Sequence, residues 1–175
     1  MAITINGNGT VTGITSGAGK ILQVVQTAKT DVFTTTSSTF TNVTGLTVNI
    51  TPSSTSSKVL VIGSVLVTSN SNDMYKTRIA RDGTGIFVGD AVSGTTSGLI
   101  QYYSYNAYQL QDYSTLPSPV MYLDSPSSTS QLTYSWQIRS QSGGTTVVNR
   151  HGNNSGNSSQ AFRGASSIIV MEVAG

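Results

Sequence analysis

From Lys20 onward, apolar residues fall in short runs separated by Ser, Thr, Asn and Gly clusters, and no 3.6-residue period persists. That texture predicts strands and turns, not helices. The run at 21–26 is rich in β-branched residues and ends at Lys29, Thr30 and Asp31. Leu46, Val48 and Ile50 then alternate with Thr47, Asn49 and Thr51, the signature of a strand with one wet face. After a polar turn at 52–57, residues 58–68 carry apolar side chains at consecutive positions, which suits a central strand or one covered by a second subunit. Asp82-Gly83-Thr84 between apolar runs at 77–81 and 85–88 predicts a hairpin, because Gly tolerates positive φ. Leu132, Tyr134, Trp136 and Ile138 alternate with Thr133, Ser135, Gln137 and Arg139, placing four large side chains on a core face. The last run, 167–173, is apolar on both faces and predicts a strand inside the sheet.

The first nineteen residues differ. They hold five glycines and only isolated apolar positions, too few to close a core against the entropy of ordering. Residues 1–19 therefore read as an arm that orders on a partner, and residues 20–175 as one β-sandwich domain.

Composition narrows the chemistry. Charged residues make up 9% of the chain and the nine basic ones form no run, so the net charge of +2 signals no nucleic-acid partner. There is no Cys, which removes disulfides, thiolate metal sites and a Cys nucleophile. The N-terminus carries neither the basic nor the apolar region of a secretory signal, predicting synthesis in a cytoplasm, and no apolar run is long enough to insert into a membrane as a helix.

An enzyme needs polar groups with tunable pKa values, and the inventory here is one His and seven carboxylates. His151, set among Asn149, Gly152, Asn153 and Asn154, reads as an exposed loop residue. Ser16-Gly17-Ala18-Gly19-Lys20 departs from a phosphate loop at its first glycine and at the residue after Lys20. Asn70, Asn72 and Asp73 can offer several oxygens to an ion, but the remaining carboxylates are too scattered for a calcium loop. The reading is a non-enzyme with no cofactor and no metal site.

The most function-like segment lies at 102–113. It holds five of the eight tyrosines, Tyr102, Tyr103, Tyr105, Tyr108 and Tyr113. Tyrosine joins apolar area to a hydroxyl handle, so the strip suits a subunit interface or a glycan contact as well as ordinary packing within the domain.

Residues 2–13 resemble the N-terminal tag of tail-fibre and head-fibre proteins of bacteriophages, cyanophages included. The remainder is similar to the knob domain of those proteins at 20–26, 55–61, 81–84, 123–126, 133–139 and 163–172. The resemblance implies a jelly-roll-like antiparallel β-sandwich assembled as a homotrimer, located in the virion after synthesis in a bacterial cytoplasm. It also implies an arm that anchors the trimer, with Ile3, Ile5, Asn6, Asn8, Val11 and Ile14 as the anchoring residues. Longer fibre proteins place a coiled coil, collagen-like repeat or β-helix between arm and knob, and none lies between them here. The expectation is thus a capsid decoration (cement) protein whose partners are its own copies and the major capsid protein or another virion structural protein. The alternative is the receptor-binding tip of a tail fibre or tail appendage, reading a host surface glycan through the tyrosine strip or the Asn/Gly-rich loop at 152–159.

Overall fold

A computed structural model describes residues 4–5, 11–12, 19–69, 73–90, 92–103, 115–152 and 162–175, with 4–5, 11–12 and 103 described by their strand pairing alone. Among the described residues every regular element is a strand. In chain order these are β1 (Thr4–Ile5), β2 (Val11–Thr12), β3 (Ile21–Lys29), β4 (Phe33–Thr35), β5 (Thr41–Ile50), β6 (Lys58–Ser69) and β7 (Met74–Arg81). They continue as β8 (Thr84–Ile86), β9 (Ile100–Tyr103), β10 (Leu116–Asp124), β11 (Leu132–Ser140), β12 (Thr146–Val148) and β13 (Ser166–Val173). Within the arm, β1 and β2 pair antiparallel, with Thr4 opposite Thr12 and Ile5 opposite Val11.

The pairing of the remaining strands is nested. β3 pairs β13, β4 pairs β12, β5 pairs β11, β6 pairs β10, and β7 pairs β8 and β9. A chain paired in this way is one long hairpin. Winding it up adds contacts of β13 and β12 with β6, and of β11 with β7. The outcome is an antiparallel sandwich of jelly-roll form: one sheet carries β3, β13, β6 and β10, with β12 and β4 beside the far half of β6, and the other carries β5, β11, β7, β8 and β9.

The inner faces interlock as the alternation predicts. Leu46, Val48, Ile50, Leu132, Tyr134, Trp136 and Ile138 are all buried, opposite Val59, Val61, Val65, Val67, Ile168 and Val170 of the other sheet. Aromatic side chains with polar tips tie the two sheets together. Trp136 Nε1 donates to the Ser167 carbonyl (3.3 Å) and the Tyr75 hydroxyl to the Val67 carbonyl (3.1 Å). At the sandwich end, Asp124 Oδ2 accepts from the Tyr134 hydroxyl (2.7 Å) and pairs with Arg81 (2.5 Å). Burial first, and then the hydrogen bond to the Asp124 carboxylate and its charge, push the Tyr134 pKa up, so this phenol stays a donor.

Asp82 and Gly83 both have positive φ (49° and 81°), the geometry of a type I′ hairpin turn. The second strand of that hairpin is shorter than the apolar run suggests. Phe87 turns left-handed (φ 50°) and stacks on Tyr122 at 4.7 Å instead of continuing β8.

His151 is buried at 1% exposure, against the expectation of a solvated loop. The cause is its neighbour. Asn149, left-handed at φ 64°, donates through its side-chain amide to the Lys29 and Asp31 carbonyls and accepts from the Ser166 hydroxyl, pinning the chain where β12 and β13 divide the edge of β6.

Candidate functional site

Alternation along β3, β13, β6 and β10 sends one set of side chains into the core and the other to the outside of the sheet. The outside set is where this protein departs from an ordinary antiparallel sheet. Strand register aligns it in rows: Val24, Met171, Leu60 and Leu123 across one line, then Gln26, Ile169, Ile62 and Met121 across the next. Leu66 sits opposite Pro117 farther along, beyond a row of Ala28, Ser167, Ser64 and Pro119. Gly164 presses so closely on Leu66 and the Phe162 ring that a Cβ there would stand 2.4 Å from Leu66 Cδ1. Met121 is 74% exposed and Val24 57%, while Leu60, Ile62, Ile169 and Met171 are partly covered by their neighbours. The one charged side chain among the outward positions of these four strands is Lys58, at the end of β6. Contiguous apolar surface of this extent marks an interaction site.

The edge of this sheet along β10 is blunted. The ladder between β10 and β6 runs unbroken from Leu116 to Asp124, although Pro117 and Pro119 lie within it. Proline has no N–H to donate, so both prolines must direct their nitrogens to the open side, where they deny hydrogen bonds to an incoming strand.

The outer face of the other sheet is polar and internally bonded. Thr133 donates to Asn49 (2.9 Å), Gln137 to Asn42 (2.8 Å) and Arg78 Nε to Gln137 (2.7 Å), with the Arg78 guanidinium 4.0 Å from the centre of the Phe40 ring. Arg139 and Lys76 donate to the Thr96 hydroxyl and carbonyl, both at 2.7 Å.

The buried carboxylates are structural. Glu172, 1% exposed, accepts from the Ser53 amide and hydroxyl, the Ser57 hydroxyl and the Gln23 amide. Burial alone would raise its pKa, but these donors outweigh it and hold the group at about 2. Asp73 accepts from the Ser140 hydroxyl and the Met74, Ser142 and Gly144 amides, and for the same reason its pKa lies below the usual value. With its oxygens facing donors, Asp73 is built as an anchor for the 141–145 loop, not as a cation ligand. Asn70 and Asn72 lie outside the described residues.

Of the tyrosine strip, Tyr102 is half-buried, 5.4 Å from the Tyr75 ring, and its hydroxyl donates to the Pro117 carbonyl (2.8 Å). Tyr103 is described through its pairing with Met74, while Tyr105, Tyr108 and Tyr113 lie outside the described residues. Of the residues expected to anchor, Ile5 and Val11 are register partners in the β1–β2 pair, and Ile3, Asn6, Asn8 and Ile14 lie outside the described residues. So does most of the loop at 152–159. The apolar face itself is half visible in the sequence: β6 and β13 are apolar on both sides, but the register that aligns them with β10 and β3 is not written in either run.

No protein-family model matches the chain, and no curated protein matches it. Solved structures that align with it include infectious bursal virus derived T=1 particles, at 15% identity and a TM-score of 0.43 over 100% of this chain and 41% of that one. Another is the infectious bursal disease virus VP2 subviral particle, at 16% identity and a TM-score of 0.39 over 87% of this chain and 38% of that one. The chain spans about two fifths of the length of these structures. TM-scores of this size fall short of a shared fold, and the role of the chain rests on its own residues.

Proposed function

We propose that this chain is a non-enzymatic structural protein of a bacteriophage virion, a homotrimeric capsid decoration protein that binds the outer shell and stabilises it. The observation that carries the reading is the apolar face of the β3-β13-β6-β10 sheet, charged only at Lys58 on its margin, which suits lasting cover by another protein surface. The resemblance of residues 2–13 to phage fibre tags assigns anchoring to the arm. A segment that binds only the assembled lattice stabilises it by mass action, and three arms per trimer add avidity. The absence of any shaft between Gly19 and β3 favours decoration of the shell over a reach-extending fibre.

The test is deletion of residues 2–19. The expected product is a folded trimer in solution that no longer occupies capsids, read by co-sedimentation with shells. Undiminished occupancy contradicts the anchoring role.

A further inference from the structure

We infer that the outer face of the β3-β13-β6-β10 sheet is the surface through which copies of this chain bind one another. The inference deepens the proposed function, since it rests on the self-association named there and assigns it a place.

Three observations favour a second copy over another occupant. The first is size. Four strands about 4.8 Å apart and about eight residues long at about 3.3 Å each span a flat area of roughly 500 Å². With the relief of its side chains, such a face, with the two apolar rows through Leu60 and Ile62 at its centre, approaches a standard interface of about 800 Å² per partner. The second is charge. Lys58 at the margin is the one charged group among the outward positions, so copies of this face gathered round a common axis meet without like-charge repulsion, whereas a charged partner surface would lose its hydration against Met121, Ile62 and Leu60 with nothing to pair it. The third is the edge. Pro117 and Pro119 obstruct strand addition along β10, so contact on that side of the sheet falls to its outer face.

Met121 and Val24, 74% and 57% exposed, are the most open apolar side chains of this face and lie on its two outer strands, β10 and β3. Substitution there changes the face and leaves the fold. The experiment is light scattering after chromatography on the full chain, its Met121→Glu and Val24→Lys variants, and Thr44→Glu on the opposite sheet as control, with thermal melts confirming that each is folded. The expected masses are three times 18.3 kDa for the parent and the control, and 18.3 kDa for both face variants. A parent trimer that both face variants leave intact overturns this inference and spares the trimer. A parent of another multiple that both variants reduce to one copy supports the face and overturns the trimer. A parent at 18.3 kDa overturns both.

Discussion

The two sheets share one core and obey the same alternation, yet their outer faces are opposite in kind. On β5, β11 and β7 the outward side chains include Asn42, Asn49, Thr133, Gln137 and Arg78, and they bond to one another in a ladder. On β3, β13, β6 and β10 the outward set is led by Val24, Met171, Leu60, Ile62 and Met121. A hydrogen-bonded polar face is complete in water, whereas an apolar one is lower in free energy when covered, by about 25 cal/mol for each Å² of apolar surface removed from solvent. The difference separates a face that ends the protein from one that continues into a partner.

The largest effect expected is on what the faces share. Trp136 is fully buried and bonds across the sandwich, so Trp136→Ala should cost about 3–5 kcal/mol in denaturant unfolding, enough to erase both faces together. Gly63 comes next. A Cβ there would stand 2.5 Å from the Ser167 carbonyl, so Gly63→Ala forces β6 and β13 apart and should cost roughly 1–3 kcal/mol, weakening the apolar sheet selectively in hydrogen exchange.

Glu172 ties the β5–β6 turn to the same sheet. Replacement by Gln leaves clustered donors without their carboxylate and should cost about 1–3 kcal/mol at neutral pH. Its pKa is depressed from 4.5 to about 2, so its contribution is complete above about pH 4.5 and fades as pH falls through 2. The stability gap between the parent and Glu172→Gln should therefore close between pH 4.5 and 2, as followed by melts across that window. A gap constant over the window would remove the carboxylate from the account. The smallest effect is on the polar face, where Arg78→Ala loses one bond and the contact with Phe40, about 0.5–1.5 kcal/mol, and should leave the oligomeric mass unchanged.

Much of this contrast between the faces is legible in the amino-acid sequence. Period-two alternation locates the inward faces of β5 and β11, and the double-sided apolar runs of β6 and β13 mark them as inner strands of their sheet. Asp82-Gly83 fixes a hairpin because both positions need positive φ. What escapes is non-local. The alternation gives no sign of β10, since Pro117 and Pro119 argue against a strand unless it lies at an edge with their nitrogens outward, and edge position is a property of the sheet. The short β4 and β12 pair residues more than a hundred positions apart. The donors around Glu172 come from equally distant segments, so a carboxylate in an apolar strand gives no sign of its anchor. His151 misleads because Gly and Asn nearby suggest a loop, while the side chain of Asn149 is what draws that loop inward.

The two faces can be compared within one molecule by mild peroxide oxidation, read residue by residue in mass spectra over a range of protein concentration. Met121 lies on the apolar face, and Met74 on the polar face serves as the internal reference. With self-association through the apolar sheet, Met121 is protected relative to Met74 at high concentration and becomes the faster of the two on dilution, as its 74% exposure in the single chain requires. Met121 reacting faster than Met74 at every concentration, in a sample whose mass shows an oligomer, would contradict the account.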